Sequence, residues 1–397
     1  MGRDSSFVAP DYDRDYEHDY DPPVCEGIGV SDCCGLVRRR SPQLAGGVLI
    51  ALLVFLACSV AGAGELPRKR IQLAVRSGLD YLAAQQREDG GFDAPRNEVA
   101  ATGIAALATL ANRDGTLEEK HETMLRGTVR HLLSRQNEIG QVGESPMFQH
   151  AAGMLAALHI LGMGEEELDG RLVEFCRRGV ELTQKAQRIR KERRNLGGWS
   201  YEPHSPESDI ANTAWQVLVL ESARQCGYQV HPRSFTEAYK FINRCAQKGG
   251  YGYIPAITEA SGVRYRSAAG VALFVKELIR PGSTEDEGNV VEWLGEVDPS
   301  WGGKQYRGFF YRSAFYITLG MFQAGGERWD GYYRKLVAVL LKHQESDGRW
   351  SFPPGTYEEA RAAGEIYATG MAVLMLSLEK QILPIYQRRR SILWTGK

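Results

Sequence analysis

Asn195-Leu-Gly-Gly-Trp-Ser-Tyr201, followed by Ser208-Asp-Ile-Ala-Asn-Thr-Ala-Trp-Gln-Val-Leu-Val-Leu220, is the stretch from which the rest of the chain can be read. A glycine-aromatic loop runs into an apolar helical segment that starts on an acidic residue. Versions of the loop recur at Glu88-Asp-Gly-Gly-Phe92, Asn137-Glu-Ile-Gly-Gln141, Lys248-Gly-Gly-Tyr251, Pro299-Ser-Trp-Gly-Gly303 and Ser346-Asp-Gly-Arg-Trp350. The period is roughly fifty residues, within the range of repeat architectures. Each repeat is then one supersecondary unit that buries its apolar face by stacking on its neighbours.

Two kinds of helix flank each loop. Before it, segments such as Ile71–Leu82, Leu125–Leu133, Phe235–Ile242 and Leu336–Leu341 carry apolar residues at helical spacing and charges on the opposite face, so one side meets water. Several end in glutamine: Gln85, Gln136, Gln247 and Gln344. After the loop come Glu98–Leu110, Phe148–Leu161, Asp209–Leu220, Tyr265–Leu278, Tyr311–Phe322 and Glu365–Leu378, richer in alanine and apolar nearly all round. Helices of that kind belong in an interior. They share a pair of small residues: Thr102-Gly103, Ala152-Gly153, Thr213-Ala214, Ala269-Gly270 and Thr369-Gly370, with Ala314-Phe315 as the deviant. The pattern predicts an all-α protein, an α/α toroid of about six helical hairpins over residues 70–380, with the alanine-rich helices as its inner ring.

Composition agrees with one large globular body. The 397 residues are 43% hydrophobic and 24% charged, and the net charge of -1 carries no signal for nucleic acid. Cys25, Cys33, Cys34 and Cys58 precede the repeats, leaving Cys176, Cys226 and Cys245 in the body. An odd number without a Cys-x-x-Cys pair signals neither a disulfide framework nor structural zinc, although one bridge among the three stays open. No metal and no cofactor is expected.

Residues 1–43 read as a disordered acidic, tyrosine-rich tail closing on Arg38-Arg-Arg40. Residues 44–64 are free of charge, with a dense core at Val48–Ala57. They read as a cleaved export signal or as a retained membrane anchor. Either places the body in the cell envelope, on the periplasmic or extracellular side. Gln184–Arg194 is a strongly basic run, and residues 381–397 form a basic, aromatic tail able to touch a membrane.

The order glutamine, Gly-Gly-aromatic, buried helix resembles the repeat of squalene-hopene-type terpenoid cyclases and protein prenyltransferase β-subunits. The resemblance covers about residues 70 to 380. It implies a toroid around an apolar central cavity, with Phe92, Trp199, Tyr251 and Trp350 as ties between repeats. The cyclases of that family donate a proton from an Asp-x-Asp-Asp-Thr-Ala motif. Here the matching place reads Asp209-Ile-Ala-Asn-Thr-Ala214, with Ala211 where the proton donor belongs and Asn212 in place of the last aspartate. Alanine has no proton to give, so cyclase chemistry is not expected. The transferases hold zinc with an Asp-x-Cys pair that the body lacks.

The inner helices begin near Glu98, Phe148, Asp209, Tyr265, Phe310 and Glu365. In a closed toroid these positions share one mouth. Asp209, Glu365 and Glu98 are therefore the candidate catalytic residues, acting as acid and base. His150, Asn212, Trp215, Tyr265, Arg266, Tyr311 and Arg312 are the candidate ligand-binding residues. A structural reading stands beside these: acids at helix starts offset the helix dipole, and a lone buried histidine satisfies the backbone. The leading functional expectation is an exported or tethered protein that binds a lipid, an isoprenoid or a polymeric chain in its central cavity without the family's catalysis. The alternative is an enzyme on an isoprenoid or a polysaccharide that uses the acids at the mouth. A third is a repeat surface for protein partners. The oligomeric state stays open.

Overall fold

The computed structural model describes residues 68–94, 97–114, 117–163, 166–256, 264–282 and 287–388. The acidic tail, the apolar segment 44–64 with Cys58, the other three N-terminal cysteines and residues 389–397 lie outside the described residues. Among the described residues no helix is long and apolar enough to cross a membrane.

Helices alternate between two layers. The outer set is α1 (68–85), α3 (Glu119–Ser134), α5 (Glu166–Gln187), α7 (Pro232–Arg244), α9 (Gly288–Gly295) and α11 (Gly326–Lys342). The inner set is α2 (Glu98–Leu110), α4 (Met147–Ile160), α6 (Ile210–Gln225), α8 (Arg266–Ile279), α10 (Phe310–Ala324) and α13 (Gly364–Ser377), with the short α12 (Glu358–Arg361) before the last. Each inner helix packs on the next, and α13 packs back on α2, so the inner ring is closed. The layer of each helix follows its composition. Helix α1 buries Val75, Leu79 and Leu82 along one stripe, whereas α2 is buried on every side from Val99 to Leu110.

Glutamine side chains stitch the outer ring. The Nε2 of Gln86 donates to Gly90 O in its own loop and to Met124 O of α3. Gln136 does the same to Gly140 O and to Phe175 O of α5, and Gln187 to Gly197 O and Ser234 O of α7. Gln344 donates to Gly348 O and to Ala74 O of α1, joining the last repeat to the first. Two sequence expectations are corrected here. The tie in repeat one is Gln86 rather than Gln85, and Gln247 sits in a two-stranded ladder (Ala246–Gln247 with Gly250–Tyr251), its buried Oε1 without a hydrogen-bond partner among the described residues. The third tie, Gln187, comes from the run that reads as a basic patch. In that same run Lys191 is drawn inward, donating to Gly198 O at 2.8 Å and Ser208 Oγ at 3.1 Å.

Two of the loop aromatics that the resemblance implied as ties between repeats bond the outer helix of their own hairpin. Trp199 Nε1 donates to Thr183 O, and Trp350 Nε1 donates to Leu340 O, both at 2.8 Å. Their backbone N–H groups donate to Thr213 and Thr369 Oγ1, both at 3.0 Å. The small pairs thus divide their work: threonine receives the loop, and glycine admits the neighbouring helix. A Cβ on Gly103 would overlap the Ala152 carbonyl of α4. In the deviant helix α10 the close approach moves to Gly320, where a Cβ would lie 2.5 Å from Gly270 O of α8.

Where the resemblance implied an open central cavity, side chains of the described residues meet across the middle of the ring. Trp215 of α6 reaches past α8 to stack on Phe315 of α10, with centroids 6.3 Å apart, and donates Nε1–H to Tyr316 Oη at 2.8 Å. Phe148 of α4 lies 4.9 Å from the Trp215 ring and 6.2 Å from Tyr367 of α13. From the other end Tyr386 packs on Phe315 and Phe274, at 6.0 and 6.2 Å. The C-terminal stretch is therefore corrected as well. Leu383, Ile385 and Tyr386 are buried, and Arg388 lies over the Phe322 ring and donates Nε–H to Phe322 O. Two small cavities, one beside Tyr386 and one beside Tyr306, measure about 10 Å³ each, room for about one water molecule.

Candidate functional site

The inner helices all present their N-termini to one mouth of the ring, and the loops run across those ends. Tyr201 O accepts from Met147 N, and Tyr253 O accepts from Ile210 N, so these two loops cover the starts of α4 and α6. Asp209 is the N-cap of α6. Its Oδ1 accepts from Asn212 N at 2.8 Å and its Oδ2 from Asn212 Nδ2 at 2.7 Å. The carboxyl is half-buried, and burial pushes its pKa up against the Asn212 hydrogen bonds and the nearby Arg312 charge.

Arg312 lies 4.1 Å from the Phe309 ring centroid and 5.9 Å from that of Tyr253. The Tyr253 and Tyr265 rings meet edge to face at 5.0 Å, and Arg307 lies 4.6 Å over Tyr265. Phe309, Tyr253, Tyr265, Arg312 and Asp209 are all half-buried, and Arg307 is exposed. These residues form one strip of alternating charge and aromatic surface along the starts of α6, α8 and α10.

Among the described residues the three candidate acids share no hydrogen-bond or ion-pair partner. Glu98 is held by Arg87 and Arg135, the latter at 3.1 Å. Glu365 faces Arg349 at 3.5 Å. Only Asp209 stands in the aromatic strip. Of the candidate binding residues, Asn212, Tyr265 and Arg312 belong there. Trp215 lies deeper, in the filled centre. Arg266 turns away, pairing with Glu296 at 3.2 Å and lying 5.2 Å from the Trp293 ring. Tyr311 is buried and donates to Ser351 O at 2.6 Å.

His150 is not a ligand group. It is fully buried, Nδ1 accepts from Val142 N at 3.1 Å, and Nε2 bonds Thr183 Oγ1 at 3.0 Å. From two residues before the aligned pair Ala152-Gly153, it does for Val142 what Thr213 and Thr369 do for Trp199 and Trp350, receiving the loop backbone. Burial lowers its pKa to about 4. The unfolded chain, near 6.5, takes up the proton first, so this stability is complete above pH 6.5 and is lost as pH falls toward 4. The loss amounts to about 3 kcal/mol. Between pH 7.5 and 4.5 the unfolding free energy of a His150→Thr variant will therefore fall by about 2–3 kcal/mol less than that of the parent, measured by urea denaturation. Equal slopes would refute this assignment.

One cluster gave no signal in sequence. Among the described residues Asp89, Glu98 and His131 place potential metal-ligating atoms within 4.8 Å of one another. The His131 ring lies between the two acids, Nδ1 3.5 Å from Asp89 and Nε2 3.8 Å from Glu98, rather than offering one nitrogen to both. Arg87 and Arg135 already neutralise the carboxylates. The hydrogen bond from Arg87 holds Asp89 down at about 2. The arrangement suits a charge network better than a cation. Arg307, Tyr253 and Phe309 were also missed. Tyr253 had a signal, since it follows Tyr251 by two residues as Tyr201 follows Trp199. Arg307 had none.

No protein-family model matches the chain, and no curated protein matches its sequence. Solved structures do match. A type II terpene cyclase from Scytonema, in complex with geranylgeranyl dihydroxybenzoate, aligns over 80% of this chain and 99% of its own at 10% identity, with a TM-score of 0.54. The apo form of that cyclase gives 0.51 over 79% and 99% at 11% identity. An inactive variant of an α-1,6-mannanase from Salegentibacter, in complex with α-1,6-mannotriose, gives 0.55 over 79% and 100% at 9% identity. At such identities the likeness is one of fold, the α/α toroid.

Proposed function

We propose that the protein is a ligand-binding toroid of the cell envelope, that its binding face is the mouth carrying Asp209 and Arg312, and that it takes an extended carbohydrate chain there. The observation that carries this reading is the strip of half-buried aromatic faces set beside one carboxylate and one guanidinium. A sugar ring offers C–H faces to aromatic rings and hydroxyls to charged groups, so it is complementary to such a strip. A lipid enclosed in the ring suits the structure less, because aromatic side chains occupy the middle. The mannotriose held by the mannanase on the same fold supports a carbohydrate, and the prenylated ligand of the cyclase is the competing case.

The reading is of binding without hydrolysis. Glycoside hydrolysis employs two carboxyl groups about 5–9.5 Å apart across the bond, and the strip holds only Asp209 while Glu98 and Glu365 are engaged by arginines. Placement in the envelope rests on the uncharged run 44–64 and is tested by cell fractionation, where recovery in the cytosol would refute it.

Asp209→Asn tests the mouth, because asparagine is as good an N-cap as aspartate and spares the fold. Titration calorimetry with a panel of oligosaccharides is expected to show binding by the parent and at least tenfold weaker binding by the variant, at unchanged Tm. Equal affinity would remove Asp209 from the site. Release of shorter sugars by the parent alone would replace the binding reading with the enzymatic one.

A further inference from the structure

Resting on that reading of the mouth, we infer that its ligand is an anionic chain, a polymer of acidic sugars, and that Arg307 is a specificity-determining contact. The Arg307 side chain makes no hydrogen bond and no ion pair among the described residues; it lies 4.6 Å from the Tyr265 ring centroid. A guanidinium laid on an aromatic face keeps its N–H edges open to a carboxylate, which it holds in a bidentate pair. Its neighbour Arg312, which lies on Phe309, adds positive charge. Set against Arg307 and Arg312 are Asp209, whose carboxyl accepts from Asn212, and Glu296, already paired with Arg266.

The backbone gives a second, independent observation. Arg307 has φ 46 and ψ 48, in the left-handed region, where a side chain other than that of glycine or asparagine is strained. Gly308 follows at φ 74, and a Cβ there would lie 2.8 Å from the Tyr357 ring. The turn is therefore fixed by its surroundings, and arginine stands at a position that glycine fills at lower cost. Strain retained at a surface residue whose side chain forms no hydrogen bond among the described residues points to a use for that side chain.

Arg307→Gly relieves the strain and removes the charge, so loss of binding cannot be put down to loss of fold. The full chain would be titrated with oligogalacturonate and with neutral oligomannose of equal length, at low and high salt. The expected result is tighter binding of oligogalacturonate that weakens with salt, and roughly tenfold weaker binding by Arg307→Gly at an equal or higher Tm. Equal affinity for both sugars, insensitive to salt and to Arg307→Gly but reduced by Asp209→Asn, would overturn the anionic class while leaving the mouth as the site. Binding of neither sugar would overturn both.

Discussion

Trp350→Ala will lower the unfolding free energy by about 3–5 kcal/mol, the range for removing a fully buried large aromatic side chain. Three losses coincide at this position. The indole is wholly buried. Its Nε1–H bond to Leu340 O disappears, leaving that carbonyl the His343 N–H as its remaining donor. The ring also reaches α1: a Cβ on Gly78 would come within 2.9 Å of Trp350 Cζ3, so the indole fills the seam between the last hairpin and the first. Gln344 crosses the same seam to Ala74 O. Urea denaturation followed by far-UV circular dichroism reads the effect. Trp199→Ala, with the same bond to Thr183 O but inside the ring, is the comparison. A loss under about 1 kcal/mol for Trp350→Ala would mean that ring closure does not depend on this tie.

Gly270→Val is the second large effect, a loss of about 3 kcal/mol at the upper end of overpacking costs. A Cβ on Gly270 would overlap Tyr316 O and come 2.7 Å from Ile317 Cα, both backbone atoms of α10. Gly320 stands in the reciprocal position, its Cβ 2.5 Å from Gly270 O. No rotamer relieves a clash between two main chains, so α8 and α10 would have to separate along their length. Gly170→Ala is the control: it lies in helix α5, exposed, with nothing within 4 Å of an added Cβ. It is expected to raise stability by about 0.5–1 kcal/mol through helix propensity alone. If Gly270→Val melts with the parent, the close approach of the two helices does not determine stability.

The mouth was partly legible in sequence. Asp209, Asn212, Tyr265 and Arg312 stand where helix starts placed them, because the start of a helix after a loop is a local property. The grouping of Asp209 with Glu98 and Glu365 was not legible. Each acid sits at an equivalent place in its own repeat, yet Arg87, Arg135 and Arg349 engage two of them. His150 read as a candidate ligand because its partners, Val142 N and Thr183 Oγ1, come from another part of the hairpin and from the next helix.

By itself the sequence determined the hairpin, its repetition and which helix of each pair faces inward. All three follow from residue spacing within one repeat, where loop glycines, tie residues and apolar stripes act over a few turns of chain. Only the tertiary structure decided which helices close the predicted ring, α13 on α2, that its middle is filled and that Arg307 joins the mouth. These depend on residues of different repeats meeting. Trp215 finds Tyr316 across 101 residues, and Phe148 finds Tyr367 on a helix of the last hairpin. A repeat pattern sets the size and layering of the ring. The bulk of a few aromatic side chains directed to its axis sets whether anything else fits inside.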